Sequence, residues 1–491
     1  MELTVLGVVG AGAMGAGIAQ IGLTAGLQVK LFDANPGALE KARGEILSRI
    51  ARLVEKKALP AESVEASSAR LVLAGSLDEL ADTQVVIEAI IERLDAKQTL
   101  FKSLEAVVSR ETVLATNTSS LSVAAIALGC AHRDRVCGLH FFNPVPLMRL
   151  VEVIAAPGTS QATVEIATDL SRRIGKIPVS VKDGPGFLVN LAGRAYATEA
   201  LHIVQEGVTD PATVDRIMRD ACGFRMGPFE LMDLTGIDVN FQATNYIYQG
   251  YQHDSRLKTT SLHELMSNAG LYGRKTGRGF FDYSGDAPPA PSTPRSIAAP
   301  AAFGARIGEP APGFDALRRD YGLVEGDDAV LVAPLGEDAA SVAARLEVDT
   351  ARLVALDLTG MDRRHVTLMT SLGGSAARLD RVAAWLRGHG LTVEVVKDSP
   401  GFVAQRILAM VANLGCELAQ IGIGTPEDID LAMKLAQNYP RGPLEWADHM
   451  GPKTVHSTLL GMQAVTASDR YRPSLWLRRR ALLDRSIYER D

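Results

Sequence analysis

Thr4-Val-Leu-Gly-Val-Val-Gly-Ala-Gly-Ala-Met-Gly15 is the stretch on which the fold turns. Its first half is apolar without helical period, as in a short buried strand, and a helical pattern follows as far as Ala25. Gly10, Gly12 and Gly15 therefore stand as G-x-G-x-x-G in a strand-to-helix turn, with Ala13 and Met14 between the last two glycines. In that setting the first glycine permits the tight turn and the second lets backbone approach a pyrophosphate. The third permits close helix-on-strand packing, and the helix N-terminus faces the anion. A second apolar run, Gln28-Val-Lys-Leu-Phe-Asp33, follows that helix and ends in an acid. Asp33 is placed to accept hydrogen bonds from an adenosine ribose diol and to repel a 2′-phosphate, which favours NAD over NADP and leaves FAD as the rival cofactor.

Outward from this motif, residues 36–57 read as a long helix, 83–90 as a buried strand, 95–108 as a helix and 112–116 as a strand. Alternating strands and helices imply an α/β domain of doubly wound, Rossmann type. The stretch from Leu3 to Val29 carries no charge and is long enough, on length alone, to span a bilayer. Seven glycines within it, and Met1-Glu2 in place of a basic leader, argue against a membrane span or signal peptide.

The whole chain has 491 residues, for which a prior of about 150 per domain suggests roughly three domains. With 47% apolar and 22% charged residues it has the composition of a globular protein. A net charge of −6, with no basic block, makes nucleic acid a poor partner. The four cysteines, Cys130, Cys137, Cys222 and Cys416, form no CxxC pair and suit a reducing compartment, hence a cytoplasmic location. No metal is expected.

Three segments then concentrate polar residues: Thr116-Asn-Thr-Ser119-Ser120, His140-Phe-Phe-Asn143-Pro-Val-Pro146 and Leu150-Val-Glu152-Val153. Each adjoins an apolar strand-like run, where open α/β sheets place their ligand crevice. Glu152 follows His140 after a Pro-Val-Pro turn, and a hairpin-like return would bring imidazole and carboxylate together. Such a pair can take a proton from an alcohol while hydride leaves its carbon, the carboxylate fixing the tautomer and supporting the imidazolium. The same residues admit plainer roles: Asn117 and Ser119 as caps of a helix starting near Ser122, Lys56 as part of a solvated face, and Asn190 as a polar residue on a buried helix.

With Asn117-Thr-Ser-Ser-Leu121 and Lys182-Asp-Gly-Pro-Gly-Phe-Leu-Val-Asn190 added, residues 4–284 resemble the L-3-hydroxyacyl-CoA dehydrogenases. That resemblance implies NAD-dependent oxidation of a 3-hydroxyacyl-CoA to the 3-oxoacyl-CoA. It makes His140 the general base and Glu152 its partner, with Ser119 and Asn190 holding the substrate's C3 oxygen and neighbouring groups. It also implies cofactor contacts at the Gly10 to Gly15 loop, Asp33, Glu92, Lys97, Ser119, Asn143 and Lys275, and a coenzyme A phosphate contact at Lys56. One position departs from the pattern: Arg49 stands where the family commonly has a serine that touches coenzyme A.

The rest of the chain reads largely as a repeat. From Phe187 the pattern turns helical, over residues 190–206, 211–220 and 226–248, as an all-α domain. At an offset of 215, Lys182-Asp-Gly-Pro-Gly-Phe187 recurs as Lys397-Asp-Ser-Pro-Gly-Phe402, and Gly227-Pro-Phe-Glu230 as Gly442-Pro-Leu-Glu445. Asn190 becomes Gln405, and the Lys275 motif has no second copy, so the repeat reads as structural rather than catalytic. The expected division is a nucleotide domain over 1–184, a first helical domain over 185–284 for substrate and dimer contacts, a Pro/Ala-rich linker over 285–314, a truncated α/β domain over 315–395, and a second helical domain over 396–491. Paired helical copies would make an internal pseudo-dimer, with a homo-oligomer as the alternative. This long form resembles the bacterial dehydrogenases of phenylacetate breakdown, which oxidise 3-hydroxyadipyl-CoA; 3-hydroxybutyryl-CoA is the other candidate substrate. Two further readings stay open on sequence alone, a crystallin-like dinucleotide-binding structural protein and a dehydrogenase of a hydroxy acid or polyol without coenzyme A.

Overall fold

The computed structural model describes residues 3–285, 300–311 and 313–490. Met1-Glu2, and residues 286–299 and 312 of the proline-rich stretch expected as a linker, lie outside the described residues. The chain forms two compact units, Met1–Leu191 with Gly422–Gln437, and Ala192–Ile421 with Asn438–Asp491.

The first unit is built on an eight-stranded sheet: β1 Val5–Val9, β2 Gln28–Phe32, β3 Leu71–Ala74, β4 Val85–Glu88, β5 Val113–Thr116, β6 Val136–Phe141, β7 Leu150–Ala155 and β8 Ile177–Lys182. Their spatial order is β3-β2-β1-β4-β5-β6-β7-β8, and every neighbouring pair is parallel except β6 with β7. The central strands are apolar on both faces because helices cover both sides, as a parallel sheet requires. The uncharged N-terminus is accounted for by β1 and the Ala13–Thr24 helix, whose small residues let it press onto the sheet.

Two helices expected as single pieces are divided at glycines. The helix expected over residues 190–206 is Val189–Ala192 followed by Arg194–Gln205, with Gly193 between. That expected over 226–248 is Pro228–Thr235 and Ile237–Gly250, joined by Gly236 at φ +95°, a conformation that ends one helix and starts the next.

The second unit carries a five-stranded sheet of β9 Phe303–Ile307, β10 Leu323–Val332, β11 Leu353–Asp357, β12 His365–Met369 and β13 Thr392–Val395, in the order β13-β12-β11-β10-β9. Strand β9 falls inside the stretch expected as a linker, which therefore ends before residue 303; its Phe303 and Ala305 are buried in that sheet's core. Only β11 with β12 is antiparallel, so β9 to β13 repeat the pattern of β4 to β8. Asp183 caps the Val123–Ala127 helix by accepting from Val123 N–H and Ala124 N–H. Asp398, its counterpart in the repeat, does the same for Ala339 and Ala340 at the Ala339–Arg345 helix. Among the described residues, β1, β2, β3 and the glycine turn have no counterpart in the second sheet, which is the half that would seat a nucleotide.

Helices Arg194–Gln205 and Ala404–Gln420, one from each helical copy, are joined through a buried charge cluster. Glu199 accepts from Arg406 Nε at 2.5 Å, from Arg470 Nε at 2.7 Å and from the Tyr471 hydroxyl at 2.9 Å. No helix among the described residues is long and apolar enough to cross a membrane, and all four cysteines are buried.

Candidate active site

The glycine turn has the shape its sequence implies. Gly10 has φ +105°, and a Cβ there would lie 2.5 Å from the Ala89 carbonyl; a Cβ on Gly15 would sit 1.8 Å from the Gly10 carbonyl. A Cβ on Gly12 would meet nothing within 4 Å. Two glycines thus close the turn while the third faces open space, where a pyrophosphate can approach. The Ala13–Thr24 helix has no side-chain cap and no acid in its first turn, so its leading N–H groups are left for an anion. Asp33 is fixed beside the turn by Ala11 N–H at 2.8 Å and Asn35 N–H at 2.8 Å, with lone pairs remaining for ribose hydroxyls. These residues fit a dinucleotide.

Antiparallel register sets His140 of β6 directly opposite Glu152 of β7. His140 Nδ1 lies 2.5 Å from Glu152 Oε2, in a setting where the imidazole is 7% exposed and the carboxylate fully buried. The other oxygen, Oε1, accepts from Leu188 N–H at 3.0 Å and Val189 N–H at 2.9 Å. A buried carboxylate so engaged holds Nδ1 as the proton-bearing nitrogen and leaves Nε2 as the basic one. The Phe142 and Phe187 rings flank the imidazole at 4.5 and 5.8 Å between centroids.

Asn117 is not a cap: its Oδ1 accepts from Phe141 N–H at 2.9 Å and ties the end of β5 to the strand that carries His140. The N-cap residue of the Val123–Ala127 helix is Ser122, whose hydroxyl accepts from Ala125 N–H beside the contacts to Asp183. Ser119 is exposed in a loop organised by Glu92, whose Oε1 accepts from Thr118 Oγ1 at 2.5 Å, Ser119 N–H at 3.1 Å and Ser120 N–H at 3.2 Å. Burial pushes the Glu92 carboxyl up, but the Thr118 and Ser120 hydroxyls and the Lys97 charge outweigh it and hold the group below the usual range. Lys97 is 1% exposed, with Nζ 2.6 Å from Glu88 Oε1 and 3.2 Å from Glu92 Oε2. Glu88, at the end of β4, also accepts from Thr116 Oγ1 at 2.7 Å. Sequence reasoning missed Glu88; its signal is an acid within the apolar run Val85-Val-Ile-Glu88, where burial demands a partner.

Asn190 is half-buried, next along the chain from the turn that holds Glu152, and Asn143 is exposed after β6. Lys56 is exposed at the end of the Pro36–Glu55 helix, while Arg49 on that helix pairs with Glu45 at 2.8 Å. Lys275 belongs to the second unit, where its ammonium lies 2.5 Å from Asp238 and over the Tyr272 ring.

A largely parallel sheet with a glycine-rich strand-to-helix turn after β1 and a His–carboxylate pair on β6 and β7 defines an NAD-dependent dehydrogenase of Rossmann type. Residues 5–184 match the 3-hydroxyacyl-CoA dehydrogenase NAD-binding domain, and residues 186–283 and 401–487 each match the C-terminal domain of the same family. The chain belongs to the 3-hydroxyacyl-CoA dehydrogenase family, and its activity is the NAD-dependent oxidation of a 3-hydroxyacyl-CoA. It is 35% identical over 490 residues to the 3-hydroxyadipyl-CoA dehydrogenase of Escherichia coli strain K12, covering 100% of this chain and 99% of that one. A crystal structure of 3-hydroxybutyryl-CoA dehydrogenase from Escherichia coli K12 is 34% identical, covers all of both chains and superposes with a TM-score of 0.88. The human mitochondrial hydroxyacyl-coenzyme A dehydrogenase is 39% identical over 289 residues, covering 56% of this chain and 90% of that one. The structural-protein reading and the reading without coenzyme A fall with that membership.

Proposed function

We propose that His140, oriented by Glu152, is the general base of this dehydrogenase, and that Ser119 and Asn190 hold the substrate's C3 oxygen and its neighbours. The observation that carries this reading is the 2.5 Å contact between His140 Nδ1 and the buried Glu152, which commits one ring nitrogen and leaves Nε2 for the substrate. NAD, when bound, supplies the acceptor for the hydride from C3. His140 Nε2 takes the C3 hydroxyl proton as the hydroxyl becomes a carbonyl, and Glu152 stabilises the imidazolium so formed. The glycine turn from Gly10 through Gly12, Ala13 and Met14 to Gly15, with Asp33, Glu92, Lys97, Ser119, Asn143 and Lys275, makes up the proposed cofactor site. Lys56 is the proposed contact for a coenzyme A phosphate.

The acyl group we assign is 3-hydroxyadipyl, with 3-hydroxybutyryl second, because a relative that matches the full chain carries the former name and a full-length structural match the latter. The division expected from sequence, with its linker ending before residue 303 and residues 422–437 of its last part folding with the first unit, and a cytoplasmic location belong to the same proposal. So does an internal pseudo-dimer of the helical copies, supported by a reciprocal pair of contacts. Lys182 N–H donates to Ile423 carbonyl at 2.9 Å, and its repeat Lys397 N–H donates to Val208 carbonyl, the repeat of Ile423, at 3.0 Å. Such reciprocity is what a two-fold interface imposes.

NADH formation with 3-hydroxyadipyl-CoA, 3-hydroxybutyryl-CoA and free 3-hydroxybutyrate tests the reading. Both thioesters are expected to turn over, the adipyl with the higher kcat/KM, and the free acid to remain inert. Equal use of the free acid would overturn the coenzyme A assignment, and a butyryl preference would reverse the acyl assignment.

A further inference from the structure

The repeat lets the catalytic pair be located in the second sheet. Glu152 pairs across β7 and β8 with Val179, whose repeat Glu394 pairs across β12 and β13 with Thr367. Thr367 therefore stands for Glu152, and Asp357, opposite Thr367, stands for His140. Gln405, the repeat of Asn190, donates to Asp357 Oδ1 at 3.2 Å. The second site keeps its geometry and has lost its base. What the second helical copy does for the first site is then a separate question, and its Pro426–Gln437 helix bears on it, since residues Gly422–Gln437 fold with the first unit.

We propose that this helix is a positioning element for the His140–Glu152 pair, acting through Gly424 and Gln437 on the turn at residues 187–189. The segment covers the edge strand β8 through the Lys182 to Ile423 hydrogen bond, and the Asp428 carboxylate accepts from Ser180 N–H. Gly424 lies so close that a Cβ would sit 2.7 Å from Leu188 Cδ1. Gln437 Nε2 donates to the Val189 carbonyl at 3.4 Å. Leu188 and Val189 are the two residues whose N–H groups fix Glu152, so the helix backs the donors that hold the carboxylate that holds the imidazole. The repeat supplies the contrast. In the first copy, whose corresponding helix Pro211–Asp220 faces the second sheet through Arg216 and Glu394 at 2.7 Å, Gly424 is replaced by Thr209 and Gln437 by Cys222. The close approach and the amide donor occur only where there is a base to position.

This rests on the catalytic reading of His140, and the full-length enzyme tests it with 3-hydroxybutyryl-CoA. Gln437→Leu and Gly424→Val are expected to lower kcat by about threefold to thirtyfold, a range typical of a displaced support. KM for NAD should stay unchanged, and the acid limb of the kcat/KM profile should move to lower pH as the carboxylate supports the imidazolium less well. Gly424→Ala should show a smaller change of the same kind, and it decides the matter with Gln437→Leu if the valine variant does not fold. Cys222→Ala, at the mirror position, should leave kcat and the pH profile as they were. Unchanged kcat and pH profile in the folded Gly424 and Gln437 variants would overturn the proposal, as would an equal loss in Cys222→Ala. An unaltered enzyme inert toward every 3-hydroxyacyl-CoA would instead overturn the catalytic reading beneath it.

Discussion

Glu152 is fully buried, accepts two backbone N–H groups and meets the imidazole, so it is structural and chemical at once. Truncation to alanine leaves those donors without an acceptor, for which the cost is about 2–5 kcal/mol. Glu152→Ala is expected to show that loss in urea unfolding; a midpoint equal to the unaltered protein's would contradict the burial argument. At this scale the site was legible in the sequence to the extent that motifs carry it. His140 and Glu152 were found because an acid and an imidazole interrupt two apolar strands at a separation a return can close. Glu88 and the true role of Asn117 were not, because both act on backbone or buried partners brought from distant segments. Lys97 illustrates the same limit: its spacing on a helix gives no hint that two carboxylates enclose it.

The glycine turn shows at the level of an element how identical residues differ in what they tolerate. A side chain on Gly15 collides with the Gly10 carbonyl, whereas one on Gly12 enters open space. Gly15→Val is therefore expected to unfold the N-terminal unit, and Gly12→Val to keep the melting temperature within a few degrees while NAD binding falls by at least tenfold. Calorimetric titration with NAD, beside thermal melts, checks both; intact NAD affinity in Gly12→Val would place the pyrophosphate elsewhere. The strand-turn-helix unit was readable because its glycines, apolar run and terminal acid fall at fixed spacings. Breaks at Gly193 and Gly236 were not, since an isolated glycine in an apolar helical pattern reads equally well as tolerated. Strands β9, β12 and β13 escaped notice because the first lies in an Ala/Pro-rich context and the other two are short, with polar residues among their members.

For the whole molecule, the excess length is duplication, visible in sequence as the offset of 215 and in structure as five strands repeating five. The sequence repeat predicted the copies but not that helix Pro426–Gln437 belongs with the first unit, because that exchange depends on packing between segments far apart in the chain. The helical copies are tied by Glu199 between Arg406 and Arg470. Burial raises that carboxyl, but the two guanidinium charges outweigh it and hold it far below its ordinary 4.5. A folded pKa below the unfolded one gives stability that is complete above about pH 4.5 and shrinks as the pH falls toward the folded value. Glu199→Gln, which leaves two buried cations without their anion, is expected to lose about 3–5 kcal/mol at neutral pH. That difference should narrow in acid; a gap that widens as pH falls would contradict the linkage.

The role of His140 meets its most direct test in the rate of NADH formation from 3-hydroxybutyryl-CoA by the His140→Gln protein beside the unaltered enzyme. NAD affinity and melting temperature should match between the two, because the cofactor turn and the sheet are untouched, while kcat falls by about 10²-fold to 10⁴-fold as for a lost positioned base. Equal turnover by the two proteins would contradict the assignment of His140 as the base.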